Sequence, residues 1–246
     1  MKMQTNTNNM KTVALIPARK GSERAKLKNL ALLNGKPLIS YAITSAIKSG
    51  SFDQVVVDAD HEYFFKVAKE FGAEFYLRPE LLGSSETKID DVVYDFILKH
   101  PDHENVAIVN PVNPLLTSDE IKRVVDHFFE NNLDSVNTVE EKYSHFLFED
   151  KPINFTFSEK LTKTQDLIPV QIISYAVQMW KVSSFKQSME STGHGVFSGK
   201  VGFVPISKRG SVNIKHPDDI CMADSILSSG VKELKYYGNL ETTSVL

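Results

Sequence analysis

The chain has 246 residues, 41% of them hydrophobic, with 28 Lys or Arg against 31 Asp or Glu and a formal net charge of −3. That size can bury one substantial core, so a single α/β domain over residues 11–246 is expected. The near-balanced charge argues against nucleic acid or an anionic membrane as the main partner. A lone cysteine, Cys221, excludes an intrachain disulfide and a cysteine-built metal cluster. Residues 1–10 are polar, lack an apolar run of signal length, and read as a disordered tail. No segment reaches the roughly 18 apolar residues of a membrane span, so a cytoplasmic protein is expected.

Residues 12–16 (TVALI) read as a buried strand stopped by Pro17. Residues 38–48 carry apolar side chains at helical spacing and end before Gly50. A strand over 54–57 leads to a helix over 63–71 that Gly72 closes at its C′ position. Asp58-Ala59-Asp60, between these two, reads as helix capping and loop polarity. Residues 75–77 form a short strand ended by Arg78-Pro79, 89–99 resume the helical period, and 106–109 are an apolar strand. Ser118 caps a helix running to 129, and 135–139 form a further strand. Past 140 the pattern breaks: residues 143–163 mix Tyr143, Phe146, Phe148, Phe155 and Phe157 with Lys and Glu, and read as a β-arm or inter-subunit lid. Residues 172–182 and 201–205 then read as strands. A helix over 218–227, capped by Asp218 and Asp219, closes the chain. Alternating strands and helices with short links require parallel strands and right-handed crossovers, which put ligands at the carboxyl ends of the strands.

The strongest local signal follows the first strand. Between Ala18 and Asn29 stand five cations (Arg19, Lys20, Arg24, Lys26 and Lys28) and one anion, Glu23. Gly21 lets the backbone turn toward a ligand, consecutive backbone N–H groups can cradle phosphate, Arg supplies a bidentate fork and Lys a point charge. The spacing is not that of a P-loop, and Gly193-His194-Gly195 lacks the second half of a dinucleotide fingerprint. His145 and His194 read as structural.

Ile16-Pro17-Ala18-Arg19-x-Gly21-Ser22-x5-Lys28-Asn29 resembles the signature of the acylneuraminate (CMP-sialic acid) cytidylyltransferase family. The likeness continues through Leu77-Arg78-Pro79-Glu80 with Ser85-Glu86-Thr87, then Val109-Asn110-Pro111-Val112-Asn113-Pro114-Leu115, then Ser211-Val212-Asn213-Ile214-Lys215-x-Pro217-Asp218-Asp219. It implies a three-layer α/β/α nucleotide-diphospho-sugar-transferase-like domain with a mixed, mostly parallel sheet and a dimerisation arm at 140–170, hence a homodimer. It implies an enzyme of polysaccharide biosynthesis that joins CTP to a 2-keto-3-deoxy acidic sugar and releases pyrophosphate. By that resemblance Arg19 and Lys28 hold the triphosphate, while Ala18, Gly21, Ser22 and Asn29 shape its cradle. Arg78, Ser85 and Thr87 lie near cytosine and ribose, and Asn110 faces the sugar; Tyr175 and Gln178 are further expected substrate-binding residues, although Tyr175-Ala176 stands where the family carries Asn-Gly.

The chain also departs from that pattern. The family's Asp-x-Asp, which binds magnesium, reads Asn213 and Lys215 here, so Mg2+ is expected only as company of bound CTP, without its usual protein ligands. Lys215 then either replaces part of the metal's charge as a catalytic cation, or the chain is a non-catalytic nucleotide- or sugar-binding partner of the same fold. Where the family carries an Arg, Thr164 stands, and Lys163 is the nearest cation for a carboxylate. Sialic, legionaminic, pseudaminic and amino-Kdo-like acids all fit these residues. A glycosyltransferase or another nucleotide-sugar pyrophosphorylase is a third reading.

Overall fold

The computed structural model describes residues 11–21 and 27–229; the expected tail at 1–10, Ser22 and the rest of 22–26 lie outside the described residues. Strand β1 (Thr12–Ala18) alternates its side chains across the sheet. Ala14, Ile16 and Ala18 enter one core, and Val13 and Leu15 enter the other. The strand does not stop at Pro17. Its pairing with β6 ends at Leu15↔Ile108, so the proline's missing N–H breaks no ladder on that side. Strands β2 (Leu32–Leu33) and β3 (Lys36–Pro37) form a small hairpin, turned by Asn34 and Gly35 at φ 45 and 75. This is the Asn-Gly turn that two-residue hairpins favour.

Then come α1 (Leu38–Ser49), β4 (Gln54–Ala59), α2 (Tyr63–Glu70), β5 (Glu74–Leu77), α3 (Ile89–Lys99) and β6 (Asn105–Val109). Gly72 follows α2 at φ 82 and donates its N–H to Lys69 O, as the closing glycine should. Helix α4 (Ser118–Glu130) is capped by Thr117 and not by Ser118: Thr117 Oγ1 accepts from Glu120 N at 3.2 Å while the Glu120 carboxylate accepts from Thr117 N at 3.0 Å. That reciprocal pair satisfies two donors at once. After β7 (Ser135–Lys142), the two-stranded β8 (Leu147–Phe148) and β9 (Lys151–Pro152) lie in the segment expected to be an arm. Strand β10 (Val170–Lys181) is followed directly by α5 (Val182–Thr192), β11 (Val201–Pro205) and α6 (Pro217–Ser229). The expected strand ending at 182 therefore ends one residue earlier, and α5 is a helix the residue pattern did not announce. Its SSFKQSMEST run is polar, and Phe185 is its one buried residue.

The seven-stranded sheet has the order β11-β7-β10-β6-β1-β4-β5. Strands β6, β1, β4 and β5 run parallel, β10 is antiparallel to both neighbours, and β11 is parallel to β7. Helices α1, α2 and α4 cover one face, and α3 and α5 the other. The result is three layers with the carboxyl ends of four adjacent parallel strands on one edge.

On the second face, the fully buried Trp180 donates Nε1–H to Val196 O at 2.9 Å and meets Phe185 edge-on at 5.3 Å between ring centres. We predict that Phe185→Ala costs about 3–5 kcal/mol, the sum of lost transfer energy and cavity. Urea denaturation followed through Trp180, the chain's single tryptophan, measures it; a loss below about 1 kcal/mol would show that α5 is not anchored there.

Candidate functional site

A cavity of about 330 Å³ opens at the carboxyl edge of the sheet. Ala18 and Arg19 come to it from the end of β1, Arg78 from the end of β5, and Asn110 from the end of β6. Lys28 and Asn29 reach it from a one-turn 3-10 helix, and Ser85, Thr87 and Lys88 from the loop before α3. Expected nucleotide residues that are far apart in sequence thus line one space. Four cations border it, and no Asp or Glu does so among the described residues.

Arg78 is committed inward. Its Nη1 donates to Asp58 O at 2.8 Å and to Asp58 Oδ1 at 3.2 Å, and its Nη2 to Ala18 O at 2.9 Å. Asp58 is therefore not a helix cap: it lies inside β4, fully buried, as the counter-charge of this guanidinium. Burial raises its carboxyl from 3.8 to about 6, against the opposing pull of Arg78. Two buried atoms at the cavity are left without partners, Arg78 Nε and Asn29 Oδ1. One is a donor and the other an acceptor, and such atoms are costly unless a ligand or water completes them.

Lys28 Nζ donates to Ile214 O at 2.7 Å, tying the first basic loop to the segment before α6. That segment is clamped from several sides. Ile214 N donates to Val112 O, and Asn113 Nδ2 to Gly210 O and Val212 O. The Glu120 carboxylate accepts from Ser207 N at 2.8 Å. Burial opposes ionisation of Glu120, yet hydrogen bonds from Thr117 and Ser207 more than offset it and hold the carboxyl below its usual range. In the sequence Asn113 stands only within the 109–115 stretch, with no role given, and Glu120 is not singled out although Thr117-x-x-Glu120 is a capping-box signature; their hold on the late segment is revealed only by the fold.

A second cavity shares Lys88 and Ile89 with the first and adds Asp90, Tyr175, Gln178, His194, Val196 and Phe197, the Asp90 carboxylate accepting from Gly195 N and Val196 N. Tyr175 sits in the bulged part of β10 at φ 54, a left-handed conformation that a bulky residue adopts at a cost. Gln178 is nearly buried and donates Nε2–H to Asn137 Oδ1 at 2.8 Å, while Asn110 Nδ2 reaches Tyr175 O at 3.5 Å. The remaining expected residues lie elsewhere. Gly21 borders an adjoining shallow cavity and has no left-handed φ, and among the described residues nothing lies within 4 Å of a Cβ placed on it. Lys163 and Lys215 are exposed and line neither cavity. Asp219, as expected, meets the start of α6: its Oδ2 accepts from Lys215 N and His216 N at 2.7 Å each.

Residues 13–174 match the family model described as cytidylyltransferase. The chain belongs to the cytidylyltransferase family. It is 35% identical over 115 residues to N-acylneuraminate cytidylyltransferase of Escherichia coli, a match covering 47% of this chain and 27% of that protein. It is 35% identical over 127 residues to pseudaminic acid cytidylyltransferase of Campylobacter jejuni, covering 50% and 55%. To CMP-N,N'-diacetyllegionaminic acid synthase of Legionella pneumophila the figures are 33% over 122 residues, 48% and 53%. The chain thus spans from about a quarter to just over half the length of the curated relatives it matches. Its fold is similar to that of CMP:2-keto-3-deoxy-manno-octonic acid synthetase complexed with CTP, at TM-score 0.65 and 14% identity, covering 89% of this chain and 99% of the other. A 4-diphosphocytidyl-2C-methyl-D-erythritol synthase from Anaerococcus prevotii gives TM-score 0.61 at 12% identity, over 89% and 100%.

Magnesium does not fit the late motif. A hard divalent cation selects carboxylate and carbonyl oxygens, whereas Asn213 offers one neutral amide and Lys215 an ammonium.

The Arg78 pair yields a prediction with a defined sign. Arg78→Ala leaves Asp58 buried without its counter-charge and costs about 3–5 kcal/mol at neutral pH. Because the Asp58 carboxyl lies above its unfolded value, its ionised form is the disfavoured one in the fold. Arg78 lowers the Asp58 carboxyl, so the variant's Asp58 takes up its proton at a higher pH than wild type's, and the loss shrinks as pH falls toward about 6 and levels off below it. Thermal melts of both proteins across that range check it; a pH-independent loss contradicts the pairing.

Proposed function

We propose that this chain transfers the cytidylyl group of CTP to the anomeric hydroxyl of an acidic sugar of the sialic, pseudaminic or legionaminic kind. The observation that carries the reading is the cation-lined cavity at the carboxyl edge, with an unpaired buried donor and acceptor beside it. A cytosine edge offers ring acceptors and an amino donor, the complement of Arg78 Nε and Asn29 Oδ1. Arg19 and Lys28 then hold the triphosphate, with Ala18, Gly21 and Ser22 about it, and Ser85 and Thr87 near the nucleoside. The names of the curated relatives and of the CTP-bound fold neighbour support the same substrates.

The acidic sugar occupies the second cavity, against Tyr175 and Gln178, with Asn110 at the border. Lys88, common to both cavities, is placed to meet a carboxylate there. The sugar oxygen attacks the α-phosphorus, the α–β bridging P–O bond breaks, pyrophosphate leaves and the hydroxyl proton is released. Positioning and charge neutralisation supply the acceleration.

A homodimer fits the arm, whose Phe148, Phe157 and Ile168 are 68%, 70% and 80% exposed. Lys163, on the same arm, then serves a sugar carboxylate only through such an assembly. Among the described residues no helix is long and apolar enough to cross a membrane. A CTP-consuming step fits the cytoplasm, ahead of glycosyl transfer into a polysaccharide. A non-catalytic partner is the second reading, favoured by Asn213 and Lys215.

Incubation with CTP and a panel of these acids, read as pyrophosphate release, separates the two; release from none of them favours the binding partner. In the same assay Arg19→Ala weakens CTP by roughly 10- to 100-fold, the worth of one charge-assisted phosphate contact. Lys88→Gln raises KM for the acid while leaving KM for CTP within about threefold.

A further inference from the structure

Asp60, half-buried just past the end of β4, does not cap α2, whose N-terminus has no side-chain hydrogen bond. Its Oδ1 instead accepts from Lys20 N at 2.8 Å, next to the Arg19 that borders the cavity. The Lys20 side chain lies over the first residue of α2, with Nζ 5.3 Å from the Tyr63 ring centre. On the other side of Asp60 the chain passes at Gly83, which ends the 3-10 turn Glu80–Gly83 and leads to the cavity-lining Ser84 and Ser85. A Cβ on Gly83 would overlap Asp60 Oδ2 and stand 2.8 Å from Asp60 Cβ. Turning the carboxylate relieves the first clash and not the second, so glycine is the residue that fits there. Charge alone argues against an anion at this place. Burial is the main force raising the Asp58 carboxyl, and Asp95 and Asp60 add to it. A carboxylate also opposes the field that draws a polyphosphate.

We propose that Asp60 is a positioning residue for the nucleotide: by holding Lys20 N it sets where Arg19 meets the triphosphate, and Gly83 makes room for it. What it contributes is the hydrogen bond it accepts, which orders the turn without competing for the Arg19 guanidinium. Once that acceptor is lost, the cost of ordering the turn falls on nucleotide binding.

The inference rests on the reading of this cavity as a CTP site. Calorimetry of CTP binding to the full chain in excess Mg2+ tests both. Asp60→Ala weakens CTP by about tenfold, although it removes a negative charge near a polyphosphate. Asp60→Asn, whose side-chain carbonyl still accepts from Lys20 N, stays within about threefold of wild type. Gly83→Ala, which forces Asp60 off Lys20 N, weakens CTP by a factor similar to that of Asp60→Ala. In an Arg19→Ala background the Asp60→Ala loss shrinks to about threefold or less, because the group it acts through is gone. CTP affinity unchanged or improved in Asp60→Ala or in Gly83→Ala overturns the inference alone, even where melting temperature falls, since a merely structural aspartate gives that result. An equal loss in Asp60→Asn also overturns it, because the charge and not the accepted hydrogen bond then matters. So does an undiminished loss in the Arg19→Ala background. No CTP binding by wild type overturns the CTP reading and the inference together.

Discussion

One guanidinium holds the functional edge together. Arg78 hydrogen-bonds to the carbonyls of Ala18 and Asp58 and to the Asp58 carboxylate, joining the ends of β1, β4 and β5 behind the cavity floor. The backbone of Ala18 is where the basic loop begins, so the direction in which Arg19 leaves the sheet depends on this knot. It is not a device for stability. Burial pushes Asp58 to about 6, so at neutral pH the fold carries an ionised carboxylate against its own preference, and the Arg78 bonds offset that cost. What the pair contributes is position.

Around this knot the cavity is assembled from elements with little sequence proximity. The basic loop, the end of β5, the loop before α3 and the end of β6 converge because β6, β1, β4 and β5 are adjacent and parallel. The late segment joins them through Lys28, 186 positions away from Ile214. Asn113 and Glu120 hold that segment from the opposite side. Local charge therefore departs sharply from the chain's overall balance: a protein of net −3 presents a cavity bordered by four cations. Such a field attracts a polyphosphate whatever the global charge.

Much of this was legible before any coordinates. Continuous apolar runs and the period-3.6 pattern located most strands and helices, since β1, β4 and β6 are apolar on both faces and α1 to α4 on one. The basic turn announced itself by charge density after the first strand. What escaped did so for physical reasons. The polar helix α5 is held by Phe185 and Trp180 in tertiary contact, which overrides its weak local pattern. Asp58 looked like loop polarity because its partner lies 20 residues on. The Asn34-Gly35 turn of the β2–β3 hairpin is readable from the residues alone. Lys88 carries no motif; only the meeting of two cavities distinguishes it. Conversely, Gly21 stands out by residue type, yet its φ is not in the left-handed region that favours glycine.

The central claim is that the glycine-bearing cationic turn and the Arg78 knot together receive a cytidine triphosphate. A crystal structure of the chain with CTP tests it most directly. The account predicts the β- and γ-phosphates on Arg19 and Lys28, and the cytosine edge completing Arg78 Nε and Asn29 Oδ1. Electron density for the nucleotide in any other cavity, or for the base at the lysine end, would contradict it.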